Sequence, residues 1–289
     1  MEPPMTNTTL TLGAVAYDPK VVTIWDGFQA YFADHGLPLD YILYTNYERQ
    51  VEALVAGSID VAWNSPLAWL QSERIAAATG RRAEAICMRD SDRDLTSLII
   101  ARADGSVRTV ADLKGLRVAV GAKDSPQATL IPLHFIADQG LDPHKDFQVL
   151  PFDTLMGKHG DHIGGERDAV RALMRGDCDA ACILDGNHLL FIQEGTIPSG
   201  ATRSIAQTPT YDHCNFTVLD SAPAEAVARF RELLLAMSYA DPQVRRLLDL
   251  EGLKQWQAGR TEGYSLLSRA VERFNYLEPF VSAAVARCS

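Results

Sequence analysis

Two short segments carry an unusual density of side chains that can donate, accept or move protons. The first, Lys158-His159-Gly160-Asp161-His162-Ile163-Gly164-Gly165-Glu166, holds two histidines, an aspartate, a glutamate and three glycines in nine residues. Glycine permits close backbone approach or positive φ, and His-x-x-His spacing can bring two imidazoles to one metal ion. A hinge loop, a ligand contact and a metal site are all compatible with this run. The second segment is Thr210-Tyr211-Asp212-His213-Cys214-Asn215. If His162, Asp185, Asp212 and His213 converge, they can hold a cation, the amine of a zwitterion, or move protons. A metal is expected, if anywhere, at His159, His162 and His213, and Cys214 is the thiol best placed for chemistry. Cys178 and Cys182 lie four apart on a strand, share a face, and read as buried thiols.

Oxyanion chemistry needs a different arrangement. A helix N-terminus offers free backbone N–H groups and the positive end of the helix dipole. Ser125-Pro126 and Ser65-Pro66 each read as an N-cap followed by proline in the first turn. Asn64, at a strand end, and Tyr17, at the end of the first strand, are candidate ligand contacts beside them. Trp63 sits in an apolar run and reads as core. The chain contains no Gly-x-Ser-x-Gly elbow, phosphate-loop motif, His-Glu-x-x-His or Cys-x-x-Cys, so no enzyme signature is visible.

The elements that position these residues follow from periodicity. Apolar residues at Val21, Ile24, Trp25, Phe28, Tyr31 and Phe32 predict a helix ending near Gly36. Strands are expected at Thr9–Tyr17, Leu39–Tyr44, Ile59–Trp63, Ala85–Met88 and Leu95–Ala101. Helices are expected at Glu48–Ala56 and from Pro66 to Ala78. The pattern then restarts with strands at Leu116–Gly121, Phe147–Pro151 and Cys178–Leu184, and helices from Pro126 to about Ala137 and over Arg167–Arg175. Strands are again expected at Thr202–Ala206 and Phe216–Leu219, and a mostly helical remainder from Pro223. Alternating strands and helices imply α/β sheets, mostly parallel and flanked by helices.

One repeat supports two similar halves. Residues 51–62, VEALVAGSIDVA, match residues 170–181, VRALMRGDCDAA, at Val51/Val170, Ala53/Ala172, Leu54/Leu173, Gly57/Gly176, Asp60/Asp179 and Ala62/Ala181. Each is a helix end, a glycine stop and an acid-bearing entry to a buried strand. The loops that follow, Asn64-Ser65-Pro66 and Asp185-Gly186-Asn187-His188, would lie where open α/β sheets bind ligands, at strand carboxyl ends. Facing each other, they would form a cleft.

Composition bounds the function. The 289 residues are 47% hydrophobic and 22% charged, a globular mix. With 27 basic and 37 acidic residues the formal net charge is −10, which argues against a general nucleic-acid partner. No apolar run is long enough to cross a membrane. The five cysteines are few and odd in number, as expected of reduced thiols. Met1-Glu2-Pro3-Pro4 lacks the basic and apolar regions of a secretory leader. As written the chain reads as cytoplasmic, or as periplasmic or extracellular if a leader has been removed.

The run Tyr47-Glu48…Val51-Glu52-Ala53-Leu54…Gly57…Asp60-Val61-Ala62-Trp63…Pro66-Leu67 resembles the phosphate/phosphite/phosphonate substrate-binding proteins of ABC transporters. So do Asp112-Leu113-Lys114-Gly115-Leu116-Arg117-Val118-Ala119-Val120-Gly121 with Ser125…Leu130-Ile131-Pro132, and the segment Ala169–Ala181. The resemblance implies a type 2 periplasmic-binding-protein fold, with one lobe from 9–95 plus 207–289 and another from 96–206, joined by two crossover strands. It implies ligand contacts at Tyr47, at Ser125, Pro126 and Gln127, at Glu166 where the family has a histidine, at Asp185 or Asn187, and at Asp212. The Ser125 run keeps one of three hydroxyls usual in the family, and Leu95 stands where an aromatic is expected.

The primary expectation is a protein that closes two lobes over a small polar or anionic molecule, a phosphonate- or phosphate-like oxyanion first, with an ABC-transporter permease as partner. The rival is an enzyme on the same fold, similar to thiamine-pyrimidine synthases or aromatic-acid decarboxylases, with or without a metal. A cytosolic sensor or chaperone-like partner is a third reading.

Overall fold

The computed structural model describes residues 9–288; the leader reading at Met1–Pro4 lies outside the described residues. The chain divides into two compact units. The first holds the chain up to Arg93, then His213–Glu262, then Leu277 onward; the second holds Asp94–Asp212 and Gly263–Tyr276. Segment 263–276 was expected in the first lobe with the rest of 207–289. It belongs to the second unit because Phe274 packs on that unit's core and Arg273 pairs with Asp138.

In chain order the first unit opens with β1 (Leu10–Val15), α1 (Lys20–Asp34), β2 (Leu39–Tyr44), α2 (Tyr47–Val55), β3 (Val61–Asn64), α3 (Pro66–Ala78) and β4 (Ala83–Arg89). The second unit follows with β5 (Ser97–Arg102), β6 (Arg117–Val120), α4 (Ile131–Asp138), β7 (Gln148–Pro151), α5 (Gly164–Arg175), β8 (Ala180–Leu184), α6 (Asp185–Gln193) and β9 (Thr202–Gln207). The chain returns to the first unit for β10 (Asn215–Leu219), α7 (Ala224–Ala236), α8 (Pro242–Glu251) and β11 (Trp256–Ala258). Helix α9 (Ser265–Arg273) joins the second unit, and α10 (Glu278–Cys288) the first.

Each unit is one helix-flanked sheet. The first has strand order β11-β4-β10-β3-β1-β2 and the second β7-β6-β8-β5-β9. Strands β2, β1, β3 and β4 run one way, with β10 antiparallel between β3 and β4 and β11 antiparallel to β4. In the second sheet β5 alone is reversed, lying between β8 and β9. The sheets are therefore mixed, with a parallel majority. The reversed strands β5 and β10 belong to the segments by which the chain enters one unit and re-enters the other.

Local chemistry explains the elements. Val21, Ile24, Trp25, Phe28 and Phe32 form the buried stripe of α1, facing a core that includes Leu10, Leu12 and Phe216. Asn46 caps α2 by accepting the Arg49 N–H, and Ser65 caps α3 by accepting the Ala68 N–H at 3.1 Å. The second unit has its own cores on the two faces of its sheet, around Ile100, Leu173 and Ile183 and around Ile99, Val118 and Ile136.

The sequence repeat is a repeated joint. Gly57 and Gly176 end α2 and α5 at φ of +72° and +81°. Behind them Ser58 N–H donates to Ala53 C=O and Asp177 N–H to Ala172 C=O, both at 2.9 Å, the bonding of a Schellman motif. Asp60 then accepts the Thr11 N–H at 2.8 Å, and Asp179 the Arg117 N–H at 2.9 Å. In return the Asp60 and Asp179 N–H groups donate to the Thr11 and Arg117 carbonyls. Each aspartate thus fixes the register of its strand, β3 on β1 or β8 on β6, one residue before the ladder begins.

Two expectations need correction. Asp185–His188, read as a loop, opens helix α6. Trp256, read as part of a helical tail, lies in strand β11. No helix among the described residues is long and apolar enough to cross a membrane.

Candidate functional site

The second unit gathers polar side chains at the carboxyl ends of its parallel strands β6 and β8. The chain leaves β6 at Gly121, where a Cβ would lie 2.8 Å from the Ala128 Cβ and 3.6 Å from Glu166 Cγ. Glycine there lets the turn at 126–130 and the start of α5 close on the strand end. The Ser125 hydroxyl accepts the Ala128 N–H at 3.1 Å and starts a π-type turn, Pro126–Leu130, that runs on into α4. From α5, the buried Glu166 carboxylate accepts the Leu184 N–H and the Asn187 side-chain N–H, both at 2.9 Å. Ser97 enters from the reversed strand β5, which places it opposite Leu184. Its hydroxyl meets the Tyr211 hydroxyl at 2.7 Å and donates to the Gln127 carbonyl. Burial pushes the Tyr211 phenol well above its ordinary pKa, so it stays neutral.

A strap covers the start of this turn. The Gln127 side-chain N–H donates to Gly160 C=O at 2.8 Å, and a Cβ at Gly160 would strike both Ser125 Oγ and Gln127 Nε2. Asp124, 3% exposed, accepts the Gly157 and His159 N–H groups on one carboxylate oxygen. His159 and Gly160 both sit at positive φ, +49° and +81°, which bends the strap back onto Ser125. His159 is fully buried. The His162 ring accepts the Gly164 N–H through Nδ1 at 3.1 Å, beside the start of α5. Asp185 is exposed, held by Thr96, whose hydroxyl also receives Gln207.

The first-unit candidates are placed differently. Asn64 is fully buried, receiving the Gln50 side chain at 2.8 Å and donating to Ser72 and Thr217 at 3.2 and 2.9 Å. Ser65 is buried and caps α3. Tyr47 is 1% exposed, within the core. All three side chains are buried, whereas Tyr17 is half-exposed, with the Lys20 ammonium 5.8 Å from its ring centre. Trp63 packs against Phe216 and Trp256 with ring centres 4.6 and 5.7 Å apart, as expected of core.

Asp212 and His213 stand where the chain passes between the units. The Asp212 carboxylate accepts the Asp94 N–H at 3.1 Å, and its own N–H donates to Gly263 C=O at 3.0 Å. It ties the two ends of the segment Asp94–Asp212 to the start of Gly263–Tyr276. His213 belongs to a buried cluster of the first unit, with Nδ1 3.1 Å from Cys214 Sγ and 3.6 Å from Asp92. Arg89 grips Asp92 through two hydrogen bonds of 2.6 and 2.8 Å and reaches Glu251 at 3.1 Å. Burial alone would raise the Asp92 carboxyl, but Arg89 and His213 bring it down to about 2. Among the described residues, Asp92, His213 and Cys214 are the three metal-ligand types whose ligand atoms come within 4.8 Å of one another. The guanidinium on Asp92 already supplies the positive charge a metal would bring. His159 and His162, of the second unit, are not part of that group.

The other thiols are inert by position. Burial pushes Cys87 and Cys178 up to about 12, and Cys182 higher still, so they remain protonated. Sequence reasoning missed Ser97, Asp124, Tyr211 and the Thr96–Gln207 rim. Asp124 was legible beside Ser125-Pro126; the Ser97–Tyr211 pair spans 114 residues and left no local signal.

Solved structures share this architecture. PhnD1 from Prochlorococcus marinus, in complex with methylphosphonate, superposes with a TM-score of 0.70 at 15% identity, covering 92% of this chain and 98% of that one. A binding protein component of an ABC phosphonate transporter from Pseudomonas aeruginosa gives 0.62 at 15%, covering 96% and 88%. The periplasmic aliphatic sulphonate binding protein SsuA from Escherichia coli gives 0.61 at 17%, covering 94% and 93%. At these identities the likeness establishes the fold. The family model for the ABC-transporter phosphonate periplasmic substrate-binding proteins matches residues 14–264, and the chain belongs to that family.

Proposed function

We propose that this protein binds a small oxyanion, a phosphonate or a phosphate- or sulfonate-like relative, as the substrate-binding component of an ABC transporter, and delivers it to a membrane permease in the periplasm. The observation that carries this reading is the family match over residues 14–264. Two of the structural neighbours are phosphonate binders by name and one a sulphonate binder. Family members are periplasmic by description, which does not support the expectation of a cytoplasmic protein.

The polar cluster at the strand ends of the second unit is the binding surface in this reading. Ser125 and the turn it caps supply hydrogen-bond donors, and the backbone N–H groups of the turn supply positive potential; the Ser97–Tyr211 hydroxyl pair holds the Gln127 carbonyl in place beside them. Asp185, Thr96 and Gln207 form the exposed rim. The buried carboxylates Asp124 and Glu166 belong to the same unit, and a second negative charge on the ligand is costly beside them. They favour a monoanion, or a zwitterion whose amine they neutralise.

Titration calorimetry with methylphosphonate, inorganic phosphate, phosphite and aliphatic sulfonates tests the reading. At least one of them binds, and Ser125→Ala weakens it by roughly tenfold, about 1.4 kcal/mol for a charge-assisted hydrogen bond. Absence of heat with every one of these anions would overturn the proposal. Affinity for a phosphonate is expected to fall as pH rises through its second ionisation, while sulfonate affinity stays level. No observation favours the enzyme reading: His213 and Cys214 are close, and both are buried, with His213 3.6 Å from Asp92.

A further inference from the structure

A cavity of about 620 Å³ lies in the first unit between α2, α3 and α10. It opens beside the last residue of α2, Val55, and beside Arg81, two residues before β4. That is the end of the sheet where strands β3 and β4 begin. Ligands of α/β sheets bind at the opposite end, where parallel strands finish. This cavity is therefore separate from the surface assigned above, and the inference goes beyond that reading.

Three guanidiniums line it, those of Arg49, Arg81 and Arg287, on a chain whose net charge is −10. Arg49 and Arg287 share one carboxylate: Glu52 receives Arg49 at 3.0 Å on one oxygen and Arg287 at 2.6 Å on the other. Arg81 donates to Val55 C=O at 2.7 Å and to the Ser221 hydroxyl, and its nearest carboxylate, Asp220, is 3.9 Å away. A guanidinium has five N–H donors in a planar fork suited to carboxylate and phosphate. The bonds named above engage part of each fork. Val55, Ala56 and Ala284 give the same cavity an apolar floor.

We propose that this cavity is a second binding site, for a small organic anion whose carboxylate or phosphate head meets the guanidiniums and whose apolar body rests on Val55, Ala56 and Ala284. A charged fork above an apolar surface matches how small-molecule sites combine a few oriented polar groups with apolar walls.

Cys288 lines the cavity and is exposed, while the other four cysteines are buried. It is therefore a native reporter of the local potential. Its alkylation rates by anionic iodoacetate and neutral iodoacetamide are compared, each normalised to a short cysteine peptide. Positive focusing in the cavity raises the iodoacetate-to-iodoacetamide ratio by roughly tenfold over the peptide, and phenyl phosphate protects Cys288. Arg49→Gln with Arg287→Gln returns the ratio to the peptide value and abolishes protection. A wild-type ratio equal to the peptide's, no protection by phenyl phosphate, or the same ratio in the double variant would each overturn the proposal. The wild-type ratio decides it even if the variant fails to fold. Occupation of the second-unit surface by phenyl phosphate leaves the ratio unchanged, so the two sites fail independently.

Discussion

The Arg89 guanidinium lies between Asp92 and Glu251, with its plane 5.2 Å from the Trp63 ring centre. A buried charge persists only where partners replace its lost hydration. Here desolvation acts against ionisation, but the arginine and His213 hold the Asp92 carboxyl down at about 2, below its unfolded value near 4. The sign follows: Asp92 adds stability above about pH 4, and that part is lost as pH falls toward 2. Its size is about 2 kcal/mol. In Asp92→Asn the urea midpoint drops at neutral pH by the equivalent of about 3–5 kcal/mol, because Arg89 loses its bidentate partner. The difference between midpoints at pH 3 and pH 7 also narrows. A variant with the wild-type pH dependence would show that Asp92 does not titrate as described. Asp212 belongs to the same scale. The resemblance implied a ligand carboxylate there, and in the structure it joins the two ends of Asp94–Asp212 to the start of Gly263–Tyr276. Asp212→Ala is expected to destabilise the second unit by about 1–3 kcal/mol, read by thermal unfolding.

At the scale of elements, the two helix–glycine–aspartate joints make a paired prediction. Gly57 and Gly176 have the same sign and nearly the same φ, and Asp60 and Asp179 make matching bonds. Gly57→Ala and Gly176→Ala should each cost about 1 kcal/mol from the left-handed backbone. Asp60→Ala and Asp179→Ala should each cost about 1–2 kcal/mol, by leaving a strand N–H without its acceptor. Chemical denaturation of the four variants checks this. Unequal losses within either pair would show that the joints are alike in sequence but not in energetics. These joints were legible because every bond in the turn lies within a few residues. Strand β11 was not. Trp256 is buried against Phe216 and Phe28, with ring centres 5.2 and 5.9 Å away, and three residues set in a helical tail carry no periodicity of their own. Helix α6 was missed for a related reason: its opening Asp-Gly-Asn-His reads as turn chemistry, and the Asn187–Glu166 bond that anchors it comes from another helix.

At the scale of the molecule, all four tryptophans, Trp25, Trp63, Trp69 and Trp256, fall in the first unit, and each unit has its own apolar core. Tryptophan fluorescence therefore follows the first unit, while far-UV circular dichroism follows both. Ile183→Ala, in the second unit's core, should cost about 2–5 kcal/mol. The circular-dichroism transition then begins before the fluorescence transition. Coincident curves would show that the units unfold as one. Ligand at one hundred times its dissociation constant adds about 2.7 kcal/mol to the binding-competent state.

The sequence by itself determined the α/β class, the order of most strands and helices, the glycine–aspartate joints, the caps at Ser65 and Ser125 and the family. Each rests on spacing within one element or turn, or on the order of such motifs. Tertiary structure decided what the polar residues do. Asn64 and Ser65 are buried with hydrogen-bond partners from their own unit, and Tyr47 is buried. Asp212 and His213 became organisers of the passages between units, and Gly263–Tyr276 joined the second unit. Ser97 and Tyr211 became neighbours across 114 residues. A side chain's use depends on which distant groups reach it first, and one-dimensional spacing carries no record of that competition.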